Sequence, residues 1–223
     1  MPYSSEQNTY KPVAPSKAWK TTGKGPHATV MGIAVDLAGN VPIIHRGPEV
    51  RSMKNLWSFP SGLHENGLTM AEQLAVELDE ELSLKVPRNQ ITGLPVYCEQ
   101  VGTYENIVVG NNENEDDWHW VISVCVILVA NSHAYTNNEP RKCDKVIVVK
   151  SHKLCNHLVL WSDEVSGSSK SLVWTPNLGE FIDAHSAQIQ ALLKKAKEAA
   201  WSAIDNDLLS LEIMPAPAPN PRI

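Results

Sequence analysis

The sequence predicts an α/β domain, on three observations. Apolar residues recur at helical spacing from Met70 onward, behind a capping signal; apolar, β-rich runs flank that helix at 27–44 and 121–130; and a second helical pattern occupies 177–204. Composition agrees. A chain of 223 residues with 43% hydrophobic and 20% charged side chains has material for one sizeable core, and it falls outside the collagen-like, wholly disordered and disulfide-scaffold classes.

The elements follow in chain order. Residues 1–26 are polar and broken by Pro12, Pro15, Gly23, Gly25 and Pro26, which predicts a flexible arm. Residues 27–35 and 41–44, joined by the turn-like Asp36-Leu-Ala-Gly-Asn40, predict a hairpin. A loop rich in Gly, Pro and charge leads to Leu56-Trp-Ser-Phe-Pro60, Gly62 and Gly67. Thr69-Met-Ala-Glu72 then has the form of a capping box, so a helix starts at Met70. Its residues Ala71, Leu74, Ala75, Leu78 and Leu82 share one face, which predicts burial against a sheet. Downstream, 97–103, 118–130 and 146–149 read as strands, the second buried on both faces, with a solvated acidic loop at 110–117. The helix of 177–204 is expected to break near His185 and to keep Lys194, Lys195 and Lys197 in water. Residues 214–223 alternate proline and predict an extended tail. The expected organisation is an arm (1–26), one domain (27–205) and a tail (206–223), with no internal repeat.

Charge and cysteine usage narrow the function. The formal net charge of −6 argues against affinity won by neutralising many phosphates of a nucleic acid, while a metal-screened phosphate ligand stays compatible. The ten-residue apolar run 121–130 is about half of a membrane span, and the N-terminal residues lack the basic start and apolar stretch of a secretory signal. Cys98, Cys125, Cys143 and Cys155 stand far apart with no Cys-x-x-Cys pair, which predicts buried, reduced thiols and a cytoplasmic location, against the alternative of a disulfide or zinc site.

On the helix face opposite the apolar one stand Glu77, Glu80 and Glu81, with Glu77 and Glu81 about one turn apart. Like charges at that spacing repel. A divalent cation would offset the repulsion, because Mg²⁺ takes one or two carboxylates together with phosphate oxygens and water; the plain alternative is a solvated acidic face.

The upstream residues favour the cation. The run of 62–84, Gly-Leu-His-Glu-Asn-Gly-Leu-Thr-Met-Ala-Glu-Gln-Leu-Ala-Val-Glu-Leu-Asp-Glu-Glu-Leu-Ser-Leu, resembles the Nudix box, with Gly62, Glu77, Leu78, Glu80, Glu81 and Leu84 in register and Glu65 and Gly67 fitting a common extension. Three positions depart from the pattern: Leu68 replaces its first Glu, Val76 its Arg and Ser83 its second Gly. The segment Asn138-Glu-Pro-Arg-Lys-Cys143, with Trp118-His-Trp-Val121, is similar to eukaryotic Nudix nucleoside-triphosphate diphosphatases.

The resemblance implies an α/β/α sandwich, with a mixed sheet between the box helix and the C-terminal helix. It implies a Mg²⁺-dependent diphosphohydrolase, with Mn²⁺ an acceptable substitute, acting on a nucleoside triphosphate or a related nucleoside diphosphate derivative. Glu77 and Glu81 would be the principal metal ligands, with the Ser61 carbonyl a further one and Glu80 a ligand, water contact or base. Glu139 would be an additional ligand or base, against the alternative of a surface carboxylate. For substrate binding the candidates are Trp57, His64, Trp118 and Trp120, against the alternatives of core aromatics and a solvated loop histidine. Two other functions stay open: a nucleotide-binding module with impaired chemistry, suggested by Val76 and Leu68, and a hydrolase of RNA 5′ ends. A small-molecule partner is expected, no membrane, and a homodimer is compatible.

Overall fold

The computed structural model describes residues 26–50, 52–65, 67–108, 118–154, 160–162 and 169–208. The expected acidic loop, the proline tail, Cys155, the Trp118 side chain and all of the arm but Pro26 lie outside the described residues.

Two sheets and two helical layers make up the domain. The first sheet has the order β4-β1-β6-β5, from β1 (His27–Val35), β4 (Ser61–Leu63), β5 (Cys98–Val108) and β6 (Trp118–Leu128). It is mixed: β1 runs parallel to β6, and the other pairs are antiparallel. The second has the order β3-β2-β7, from β2 (Asn40–Arg46), β3 (Trp57–Ser58) and β7 (Cys143–Lys150), all antiparallel. A small pair, β8 (Leu160–Ser162) with β9 (Ser169–Ser171), stands apart. The helices are α1 (Met70–Leu82), the single turn α2 (Ser151–Leu154), α3 (Leu178–Ala184) and α4 (Ser186–Asp205).

Strand alternation divides the core in two. Val30 and Ala34 of β1 and Cys125 and Ile127 of β6 pack beneath Leu74, Leu78 and Leu82 of α1. Met31, Ile33 and Val35, with Val124 and Val126, turn the other way onto Ile189, Leu192, Leu193 and Ala196 of α4. This is the expected sandwich. Each buried leucine is worth about 2 kcal/mol, and truncating one to alanine costs about 2–5. Gly32 lets α1 settle closely on the sheet, for a Cβ there would stand 3.2 Å from Leu74 Cδ2.

The expected hairpin of β1 and β2 is not formed. The turn exists, with Asp36 N donating to Asn40 O at 3.1 Å, but the two strands then enter different sheets. The cause is the fully buried Asp36, whose carboxylate accepts from Asn40 N and Asn40 Nδ2 at 2.9 Å and from Ser132 N at 3.0 Å. These bonds steer the chain out of the first sheet instead of back along it. The break at His185 is present, between α3 and α4. No helix among the described residues is long and apolar enough to cross a membrane.

Candidate active site

The capping box of α1 forms as its residues predict: Thr69 Oγ1 accepts from Glu72 N at 3.3 Å, and the Glu72 carboxylate accepts from Thr69 N at 2.9 Å. This fixes the rotation of the helix. Leu74, Leu78 and Leu82 point to the core, and Glu77, Glu80 and Glu81 line a cavity of about 350 Å³.

Other segments complete that cavity. Gly62 and Ser61 of β4 form one wall, and a Cβ at Gly62 would collide with the carboxylate of Glu77. Glu65 joins from the loop before α1, and Arg46 from the end of β2. The 138–143 segment is clamped to the C-terminus of α1: Asn138 N donates to Glu81 O at 3.0 Å, and Asn138 Nδ2 reaches Asp79 O, Glu80 O and Ser83 Oγ at 2.9–3.2 Å. That docking carries Glu139, paired with Lys142 at 2.6 Å, into the acidic cavity.

The carboxylates are held under electrostatic tension. Burial, then the charges of Glu77 and Glu139, push Glu81 up to about 8, against the opposing pull of Arg46 and the Ser61 N–H. Its Oε2 is buried and has no hydrogen-bond partner. Glu77 is also raised, first by burial and then by Glu80, Glu139 and Glu65, although Gln73 Nε2 donates to it at 2.8 Å. Gln73 is itself buried and accepts from Glu65 N at 3.1 Å, so it ties the loop before α1 to Glu77. Among the described residues no three acidic, histidine or cysteine side chains are already gathered around a cation position. The donor set nevertheless fits Mg²⁺, which needs only one or two carboxylates alongside phosphate and water. The orphaned Glu81 oxygen and the glycine cradle beside Glu77 are the observations that fit it.

A second cavity, about 230 Å³, abuts the first and shares Arg46, Ser61, Gly62 and Leu63 with it. Its walls are different. Met31, Met53, Tyr104, Trp120 and Ile122 make it apolar, with the hydroxyls of Thr29, Ser52, Ser58 and Thr175 interspersed.

Of the residues singled out in the sequence, Glu77, Glu80, Glu81, Ser61 and Glu139 come together in the acidic cavity, and Trp120 lines the apolar one. Trp57 does not join them: it is 5% exposed, packs against His45 and lines neither cavity. Its backbone bonds to Val173 and Thr175 make it a seam between β3 and the segment before α3. His64 also lines neither cavity, and donates from Nε2 to Leu68 O at 2.8 Å, bracing the loop that precedes α1. Trp118 opens β6, with its side chain outside the described residues.

Sequence reasoning missed Gln73, Arg46 and the apolar cavity. For Gln73 the signal was present, four residues before Glu77 on the helix. The three departures from the box have distinct local settings. Val76 is exposed, one turn before Glu80; Ser83 takes the left-handed cap conformation, φ 53°, that a glycine would adopt freely; and Leu68 is half-buried. The basic residues beyond the helix are engaged elsewhere, Lys85 with Asp79 and Arg88 with Gly93 O.

No family model and no curated protein matches the sequence. Solved structures do. The chain is similar to the MutT protein of Methanosarcina mazei Go1, at 12% identity and a TM-score of 0.50, over 74% of this chain and 96% of that one. It is also similar to a MutT/nudix family protein of Enterococcus faecalis, at 15% identity and 0.48, over 75% and 63% of the two chains. A third likeness is to the NUDIX domain of Shewanella oneidensis NrtR, solved with ADP ribose, at 12% and 0.46, over 79% and 99%. The first of these carries the assignment of fold.

Proposed function

We propose that this chain, which has the MutT/Nudix fold, is a Mg²⁺-dependent Nudix diphosphohydrolase acting on nucleoside triphosphates or related nucleoside diphosphate derivatives. From a triphosphate it would release the monophosphate and pyrophosphate. The observation that carries this reading is the pair of abutting cavities, one acidic and one apolar and aromatic, joined at Arg46 and residues 61–63. A diphosphate with its counter-ion suits the first, and an attached base suits the second.

Glu77 and Glu81 would hold the cation, with Gly62 leaving room for the Glu77 carboxylate and Gln73 fixing its orientation. Bound Mg²⁺ supplies positive charge to the diphosphate and makes water a better acid. Arg46 and Lys142, which border the same cavity, would offer their cationic groups to the phosphate oxygens. Glu80, exposed on the cavity wall, would take the proton of the attacking water at its carboxylate, and the Glu139–Lys142 pair borders the same space. The wide spacing of the four cysteines, with no Cys-x-x-Cys pair, would suit a reducing, cytoplasmic setting.

The test is a nucleotide panel incubated with purified protein and Mg²⁺, with orthophosphate, pyrophosphate and nucleoside monophosphate scored separately. Monophosphate and pyrophosphate in equal amounts, lost in Glu81→Gln, are expected. One observation favours a second reading, a binding module with impaired chemistry: the exposed Val76 leaves Glu80 without the cation of the box pattern. Nucleotide binding without turnover of any member of the panel would select it.

A further inference from the structure

Two cysteines that stand far apart in the sequence meet in the first sheet, on its α1 side. Cys98 opens β5, and Cys125 lies in β6. Cys98 pairs with Ile127 and Gln100 with Cys125, so the two cysteines are diagonal neighbours whose side chains share one face. Both belong to the layer beneath Leu74, Leu78 and Leu82; Cys125 is buried, and Cys98 is half-buried at the end of its strand. The thiols meet, with the Cys98 S–H donating to the Cys125 sulfur. That bond, followed by burial, raises the Cys98 thiol, and the same bond lowers that of Cys125 against the effect of burial. Cys125 is therefore the sulfur that gives up its proton more readily, and Cys98 the one that an oxidant can reach.

Joining the two sulfurs asks for a small movement. Diagonal neighbours on antiparallel strands are about 7–8 Å apart at Cα, and a relaxed disulfide spans at most about 6.8 Å. The strand has that slack. Cys98 is its first residue, and the register of β5 shifts between Gln100 and Gly102, beside the pair, so no regular ladder holds this end. A disulfide closed against resistance is strained, and strained disulfides are the easily reduced, regulatory kind. Cys143 is the contrast. It lies in the second sheet, its Sγ donates to Lys145 O at 3.3 Å, and burial above all pushes its thiol up to about 11.

We propose that Cys98 and Cys125 are a redox-active dithiol, a site that reduces hydrogen peroxide by closing into a cross-strand disulfide beneath α1. The pair first gives up one proton. The Cys98 sulfur then attacks a peroxide oxygen, the O–O bond breaks, and the Cys98 proton passes to the Cys125 sulfur. Cys98 becomes a sulfenic acid, and the departing hydroxide takes the proton released at the start and leaves as water. Next the Cys125 sulfur attacks the Cys98 sulfur: the S–S bond forms, the S–O bond breaks, and hydroxide leaves with the Cys125 proton as a second water. The two sulfurs lose two electrons, which the two peroxide oxygens gain. The bond is felt at α1. Cys125 is in register with Gly32, where Leu74 settles on the sheet, so drawing its sulfur toward β5 removes packing from beneath the helix that carries Glu77 and Glu81.

The experiment treats the reduced full-length chain with hydrogen peroxide, blocks the remaining thiols with N-ethylmaleimide in denaturant, and maps the product by mass spectrometry after cleavage at glutamate, which separates the two cysteines. The expected product has lost two hydrogens, joins the peptides of Cys98 and Cys125, keeps Cys143 and Cys155 open to blocking, and reverts fully with dithiothreitol. Cys125→Ser should stop at a Cys98 sulfenic acid that dimedone traps. Cys98→Ser should slow consumption of peroxide by about tenfold or more, and Cys143→Ser should leave the disulfide unchanged. Amide hydrogen exchange over residues 70–82 should quicken about threefold on oxidation and recover on reduction. Four thiols still open to blocking, a bond through Cys143 or Cys155 in place of this one, or oxidation of Cys98 beyond the sulfenic acid with no disulfide overturns the proposal, and the wild-type map decides this even where a variant fails to fold. A disulfide with unchanged exchange in α1 would keep the dithiol and overturn its link to the helix. None of these readouts depends on nucleotide turnover, so the outcome stands apart from that of the diphosphohydrolase assay.

Discussion

At the scale of single residues the site is a conflict among carboxylates, and the conflict has a measurable sign. Glu81 in the protein without metal ionises at about 8 instead of 4.5, so the folded chain holds a proton there that the unfolded chain has released. The stabilisation from that proton is complete below pH 4.5 and fades as pH rises through about 8. In a chelating buffer, the melting temperature of the wild type relative to Glu81→Gln should therefore fall between pH 5 and pH 9. Glu77 is shifted in the same direction and adds to the slope. Millimolar Mg²⁺ should flatten the difference, because a cation stabilises the ionised pair; an unchanged gap across the range would show that Glu81 ionises normally. Gly62 offers a second test. Its missing side chain is the space in which the Glu77 carboxylate lies, so Gly62→Ala should displace that carboxylate and cut turnover at least tenfold while the circular-dichroism spectrum stays that of the wild type. Retained activity would mean that Glu77 takes another rotamer without consequence.

At the scale of elements, α1 was legible because its information is local. A capping box and a 3.6-residue period fix both the start and the rotation of a helix, and the rotation decides that Glu77 and Glu81 share a wall. The apolar cavity was not legible, because its residues come from β1, β2–β3, β5 and β6, and nothing in 29, 31, 53, 104 or 120 read singly says that they meet. Trp57 shows the same limit: its place beside the box in sequence allowed either a pocket or a packing role, and β3 put it in the core. The departure at position 76 now has a setting. Val76 is 38% exposed, so an arginine there would cost little packing and would sit one turn before Glu80, within reach of an ion pair. A partly exposed pair is worth about 1 kcal/mol, or about fivefold in rate if it acts wholly on the transition state. Val76→Arg is thus expected to raise kcat severalfold with KM and melting temperature unchanged. A fall in both activity and melting temperature would show that the valine packs against something essential.

At the scale of the whole molecule, the two sheets have to be held in a fixed relation, since Arg46 comes from the second and residues 61–63 from the first, and both border each cavity. Asp36 is the joint. It sits at the exit of β1, grips Asn40 at the entry of β2 through two hydrogen bonds, and takes a third from Ser132, just beyond β6, whose Oγ in turn donates to Asn40 O at 2.9 Å. A fully buried carboxylate survives only with such partners, and removing it would leave three donors unsatisfied in a dry interior. Asp36→Ala should cost about 3–5 kcal/mol, which for a domain of this size lowers the melting temperature by about 10 °C. Asp36→Asn keeps one accepting oxygen and should lose about half as much. None of these three residues lines either of the two cavities described, so both variants should keep near wild-type kcat/KM when assayed well below their melting temperatures. Should Asp36→Ala melt like the wild type, the sheets are held by their shared apolar core alone; should it lose activity while folded, the joint also sets the distance between Arg46 and the glutamates.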